Sequence, residues 1–195
     1  CVPEQWIEKP KEFDVIKDKS LRSFAYKFNE FWKLLCRRVI DDVGKDERAH
    51  CFTLLPIQPK EIIIPGGRFR ENHCWDNYWI TRGLRISGLS KMSINLRKAC
   101  TFLLRQHHFS PVANRIYYMG RTHPPMFAPM VYEEYLATLA NKSQLGTLEK
   151  STIRQFAKEI ETDLKFWNEY RSVDLSQNNW RAKLYQYRSN LTVPR

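Results

Sequence analysis

Between residues 65 and 79 the chain reads Pro-Gly-Gly-Arg-Phe-Arg-Glu-Asn-His-Cys-Trp-Asp-Asn-Tyr-Trp. Two guanidinium groups (Arg68, Arg70), two carboxylates (Glu71, Asp76) and the rings of Phe69, Trp75, Tyr78 and Trp79 fall within a short distance of one turn. That mix suits a polyhydroxylated ligand. Indole faces pack on the C–H face of a sugar-like ring, while arginine donates to hydroxyls and aspartate accepts from them. Gly66 and Gly67 reach backbone angles closed to other residues, so the chain can turn sharply after Ile62-Ile63-Ile64, with Pro65 fixing the entry.

A second polar stretch lies further on. Asn114-Arg115-Ile116-Tyr117-Tyr118 is followed by Arg121-Thr122-His123-Pro124-Pro125, and the chain closes on Val193-Pro194-Arg195. The run from Pro65 to Glu71, with Trp75-Asp76 and Tyr78, resembles the first signature of the trehalases, a family of glycoside hydrolases. His73-Cys74 departs from it, since the family usually has two aromatics before Trp-Asp; the change falls on the wall beside Trp75. The second stretch is similar to the family segment ending Arg-Ser-Gln-Pro-Pro, whose Arg, Ser and Gln contact the sugar. Arg121 keeps the first, Thr122 keeps the hydroxyl, and His123 replaces the amide with an imidazole that donates and accepts when neutral. Val112 stands where the family has a substrate-contacting Asn, and cannot make its hydrogen bond. Tyr185 to Arg195 resembles the approach to a Pro-Arg-Pro-Glu element, and Arg195 matches its sugar-binding arginine.

The resemblance implies an (α/α)6 toroid, of which residues 1–195 form the amino-terminal part of a single catalytic domain. It implies inverting hydrolysis of α,α-trehalose to two glucoses, without cofactor or metal. The family's Asp acid and Glu base lie in the carboxy-terminal part, so no catalytic residue is expected in this chain. Inverting enzymes hold acid and base roughly 6.5–9.5 Å apart, and Glu71 and Asp76 are the carboxylates nearest to that role. Their neighbouring arginines favour ionised carboxylates, against the raised pKa of a general acid. The expected substrate contacts are therefore Arg68, Trp75, Asp76, Arg121, Thr122, His123 and Arg195, with Glu71 orienting an arginine. On this reading the chain alone is inactive and poorly folded, with apolar inner faces uncovered. The family also points to an extracellular or membrane-anchored parent. A non-catalytic sugar-binding or interaction module is the alternative, favoured by Val112 and His123.

The chain has 195 residues, 43% of them hydrophobic, which is enough for one core or part of a larger one. No apolar run approaches the ~20 residues a spanning helix needs, there is no signal peptide, and a start at Cys1 rather than Met suggests a fragment or processed product. The net charge of +11 concentrates between residues 66 and 123, where ten Lys or Arg meet two acids. With interleaved aromatics that is one footprint of a nucleic-acid binder, and a basic nucleic-acid-binding helical domain is the second and weaker alternative; no named nucleic-acid motif accompanies it, and no nucleic-acid partner is expected. Five cysteines without a C-x-x-C pair give neither a zinc pattern nor a dense disulfide framework. Cys36 and Cys100 fall on apolar helix faces as core residues. Adjacent His107 and His108 point to different helix faces, and His50 and His73 are expected on the surface or behind the site.

The elements that must position these groups read as all-α. After an irregular arm anchored by Trp6 and Phe13, apolar residues from Leu21 to Val43 recur at three- and four-residue steps. That pattern predicts a helix over 19–43, capped by Asp18 or Ser20 and ended by Gly44, with its aromatic stripe in the core. An extended linker over 45–64 leads to the turn. A helix to about Gly88, a second from an N-cap at Ser90 to about Gln106, a third over 125–140 and a fourth over 148–171 follow, the last capped by Thr147 or Ser151. Residues 115–118 read as extended and 172–195 as irregular. The sum is about five helices in antiparallel pairs, with the functional residues in the connecting loops.

Overall fold

A computed structural model describes residues 1–41, 43, 53–121, 123–140, 148–178 and 180–189. Five helices dominate: α1 (Lys19–Asn29), α3 (Cys74–Ile86), α4 (Ser90–His107), α5 (Phe127–Ala140) and α6 (Leu148–Tyr170), with a one-turn helix α2 (Phe31–Leu35) after α1. Two small antiparallel sheets accompany them: β1 (Cys36–Arg38) with β2 (Glu61–Ile63), and β3 (Ser172–Gln177) with β4 (Trp180–Tyr185).

The core forms between α3 and α4, which fold back on each other through the turn at Ser87–Leu89. Leu84, Leu89, Met92, Leu96, Ala99, Cys100, Leu103 and Leu104 are buried there. Their three- and four-residue spacing on α4 gives the apolar stripe that must find a partner. Gly83 allows close approach: a Cβ on it would meet the Trp32 ring at 3.1 Å, and Trp32 Nε1 donates to Ser87 Oγ at 2.9 Å. The α5–α6 pair adds Phe127, Met130, Val131 and Phe156 to the same core.

Several expectations need correction. The helix over 19–43 stops at Leu35, and Cys36 lies in β1 rather than on a helix face. The buried run Ile62-Ile63-Ile64 leaves backbone groups that need partners, and β1 supplies them in the register Cys36↔Ile63 and Arg38↔Glu61, with Ile64 N donating to Leu35 O. Pairing across the fold overrides the helical period. Nor is the aromatic stripe along α1 and the start of α2 a core: Leu21, Phe24, Phe28 and Phe31 are 47% to 61% exposed, and among the described residues nothing covers them. Cys36 also forms a disulfide with Cys1, tying the arm to β1.

Residues 172–185 are a hairpin, not irregular chain; Trp167 packs on the Tyr185 and Tyr187 rings at its foot. Ile116–Tyr118 form a 3-10 turn instead of an extended run. Ser90 is the first residue of α4 and makes no capping bond, because buried Leu89 occupies the cap position. Asp18 does cap α1, accepting from Leu21 N at 2.8 Å. Gly44 and Thr147 lie outside the described residues, and the side chain of Ser151 is not described.

Candidate functional site

The apolar residues Ile62–Ile64 deliver the chain to Pro65, and Gly66 (φ 109°) and Gly67 (φ 57°) make the turn. Both φ values lie where a side chain would be strained. Phe69 N closes the turn on Gly66 O at 3.0 Å. Beyond it the stretch divides in two. Glu71, Asn72, His73, Cys74 and Asn77 point inward and are buried, while Arg68, Phe69, Trp75 and Trp79 stay exposed and Asp76 is half-exposed. Trp75 and Asp76 belong to the first turn of α3, not to a loop.

The inward set joins this turn to residues 110–121. Asn72 N donates to Asn114 Oδ1 at 2.8 Å and Asn114 N to Asn72 O at 3.2 Å. Cys74 N donates to Val112 O at 3.2 Å, and Asn77 Nδ2 to Asn72 Oδ1 at 2.8 Å. Glu71 is the ionic centre: Oε1 accepts from Arg115 Nε at 3.0 Å and from the Tyr117 hydroxyl at 3.4 Å, and Oε2 from Arg70 N at 2.8 Å. Burial alone would raise its carboxyl, but the Arg115 charge and these hydrogen bonds hold it below the usual carboxylate range. Glu71 therefore orients Arg115, as its place in the sequence suggested, and stays ionised.

His73 is the hub between the two stretches. Its ring meets Phe69 edge-on at 5.5 Å and Tyr118 at 5.9 Å. Arg68 lies over Phe69 (5.0 Å) and Arg121 over Tyr118 (5.8 Å). His73 Nδ1 is 4.0 Å from Asp76 Oδ2. Arg68 and Arg121 are thus each linked through one ring, and Asp76 directly, to a single buried imidazole that lies behind the exposed groups and not on the surface.

His123 is placed differently from the others. It is buried, with Nε2 donating to Ser110 O at 3.0 Å and Nδ1 without a described partner. Burial lowers its pKa and keeps it neutral. Ser110 N in turn donates to Asp163 Oδ1 of α6, and burial raises that carboxyl to about 6. Arg121 is half-buried and pairs by its backbone with Ser189 beyond β4. Thr122 and Arg195 lie outside the described residues.

Sequence reasoning missed the buried asparagines Asn72, Asn77 and Asn114, each 0% exposed. Their only signal was a polar residue inside each motif, and polar residues are read as exposed by default. The basic stretch is partly neutralised by acids of α5 and α6. Arg97 pairs with Glu134, Arg105 with Glu159 at 2.6 Å and Arg82 with Glu133 at 3.6 Å.

The exposed face offers guanidinium donors, a carboxylate acceptor and aromatic rings, groups whose chemistry suits a hydroxyl-rich molecule. Among the described residues no three His, Cys, Asp or Glu side chains converge as a metal site needs, and no helix is long and apolar enough to cross a membrane. A cavity of about 630 Å³ lies apart, between His107–Phe109 and the end of α6. Lys165 faces Glu169 there at 3.7 Å; Arg171 Nη1 donates to Tyr170 O at 3.0 Å, while its buried Nε has no hydrogen-bond partner among the described residues.

Comparison with known proteins gives a consistent answer. A family model described as Trehalase matches residues 1–195. The chain is similar to the trehalase of Apis mellifera (33% identity over 99% of this chain and 29% of that protein) and to that of Tenebrio molitor (33% identity over 99% and 33%). It is also similar to the trehalase of Arabidopsis thaliana, at 31% identity over 99% of this chain and 29% of that protein. It spans about a third or less of the length of each.

Proposed function

The chain belongs to the trehalase family, and from that premise we propose that the full-length protein hydrolyses α,α-trehalose to two glucoses by an inverting mechanism. In this reading residues 1–195 are the amino-terminal part of its catalytic domain, an (α/α)6 toroid, and supply substrate contacts. The general acid and base come from elsewhere in the full-length protein, so this chain alone turns over no substrate. Arg68, Trp75, Asp76, Arg121, Thr122 and Arg195 are the proposed substrate-binding residues, and buried His123, the remaining sequence candidate, is a positioning residue.

The observation that carries the reading is the joining of the two motif stretches. Reciprocal bonds between Asn72 and Asn114 bring Arg68, Trp75 and Asp76 to the same end of the molecule as Arg121. Glu71 is no rival for the acid role, since Arg115 keeps it ionised. His123 acts through Ser110, holding the segment before Arg121 rather than reaching outward. The Cys1–Cys36 disulfide supports an extracellular or membrane-anchored location. The acid partners of Arg82, Arg97 and Arg105 count against a nucleic-acid surface.

Glucose release from trehalose by the full-length protein tests this directly. Asp76→Ala and Arg121→Ala should each lower kcat/KM by roughly 10- to 100-fold, the loss of a charged hydrogen bond. A second reading, a sugar-binding module without turnover, is favoured by half-buried Val112, which has no side-chain hydrogen bond to offer. Trehalose binding by calorimetry with no glucose released would select it.

A further inference from the structure

Cys74 and Cys100 lie side by side in the core, Sγ to Sγ 3.3 Å, though 26 residues apart in sequence. Cys74 opens α3, directly before Trp75 and Asp76, and Cys100 sits in the middle of α4. The same chain carries the Cys1–Cys36 disulfide. A chain that joins those two cysteines folds under oxidising conditions. Two sulfurs at this separation are little more than ~1 Å beyond bonding distance.

We propose that Cys74 and Cys100 close to a second disulfide, tying the first turn of α3 to α4. The oxidant is a small-molecule disulfide of the glutathione class. The hydrogen bond between the sulfurs raises the Cys74 thiol and lowers that of Cys100, which also accepts from Asn77 Nδ2 at 3.2 Å. Cys100 therefore ionises first. Its thiolate attacks one sulfur of the small disulfide, and the departing thiolate takes up the proton Cys100 lost. Cys74 then gives up its proton, attacks the mixed-disulfide sulfur on Cys100 and expels the second small thiol, which takes that proton. Two protein thiols are oxidised and one small disulfide is reduced to two thiols. Both sulfurs are shielded in the folded chain (4% and 1% residue exposure), so the exchange takes place in the paired α3–α4 hairpin before the rest of the core closes over it. Once formed, the bond anchors the base of the Trp75–Asp76 turn independently of the asparagine bonds.

Peptide mapping decides the matter without reference to any activity. The protein is isolated with free thiols blocked by N-ethylmaleimide and digested with trypsin unreduced. A second sample is first reduced and refolded in glutathione and its disulfide. Cleavage after Arg70, Arg82, Lys98 and Arg105 isolates each cysteine in its own peptide, 71–82 and 99–105. The expected result in both samples is one linked species, two hydrogens lighter than the separate peptides, which disappears on reduction. In Cys100→Ser, peptide 71–82 should appear alkylated while Cys1 and Cys36 stay joined. Alkylation of both cysteines in either wild-type sample overturns the proposal, as does either one joined to a different cysteine.

Discussion

Helices α1 and α4 carry the same kind of pattern and meet different fates. Both repeat apolar residues at three- and four-residue steps. On α4 the stripe Met92, Leu96, Ala99, Cys100, Leu103 is sealed by α3, α5 and β2. On α1 and the start of α2 the rings of Phe24, Phe28 and Phe31 stand in a row 5.1–5.2 Å apart and face outward. Periodicity states that a face wants to be covered; it does not state by what, or within which stretch of chain. α4 finds its partners close by in sequence, whereas α1 touches the body mainly through Trp32 of the next turn and the arm.

Truncating α4 should show the contrast most strongly. Leu103→Ala is expected to cost about 2–5 kcal/mol in chemical denaturation, transfer loss plus an unfilled cavity. A cost below ~1 kcal/mol would mean that the α4 face is no better sealed than that of α1.

Next in size is Asp163→Asn, with the opposite sign at neutral pH. Folding raises this carboxyl to about 6, so the folded state binds the extra proton and stability falls as pH rises from the ordinary carboxylate range to about 6. The amide oxygen can still accept from Ser110 N but carries no charge. The variant should gain about 1–3 kcal/mol at pH 7 and flatten the stability profile between about pH 4 and 6. An unchanged profile would show that Asp163 is not closed off behind α4 and the loop at Ser110.

Asn114→Ala strands Asn72 N without an acceptor, at about 1–3 kcal/mol. Amide exchange should accelerate at residues 72–74 while the middle of α4 stays protected. Uniform exchange across both would instead place the asparagine bonds within the helical core's single cooperative unit.

Phe28→Ser on α1 is expected to change stability by less than about 0.5 kcal/mol and to lower binding of a dye specific for exposed apolar surface. A loss matching Leu103→Ala would show that the stripe is covered in the full-length protein, and that the two helices differ only in the distance to their partners.

This pattern of buried and unburied stripes marks what could be read from sequence. The α3–α4 hairpin and α6 were legible because their apolar residues recur cleanly and their partners are near. The break at Cys36 was not, since Leu35, Val39 and Val43 continue the helical step; only the distant run Ile62–Ile64 claims those backbone groups for a sheet. The hairpin over 172–185 carries a short apolar–polar alternation (Val173, Leu175; Trp180, Ala182, Leu184), but the polar residues around it mask the pattern and most of its faces stay exposed. At the site, Arg68, Trp75, Asp76 and Arg121 stood out by residue type, while the asparagines behind them did not. A buried amide looks like any surface asparagine until the chain segment it satisfies is known.

The reciprocal bonds of Asn72 and Asn114 join positions 42 residues apart, and everything between them is the α3–α4 hairpin. The hairpin is thus a closed loop with its ends already paired, and its closure entropy depends only weakly on its length. The tip at Ser87–Leu89 is anchored as well, by the Trp32–Ser87 bond and by buried Leu89, so packing at both ends rather than closure entropy sets the hairpin's length. The spacing of the proposed binding groups is thus tied to a hairpin whose length the core holds fixed.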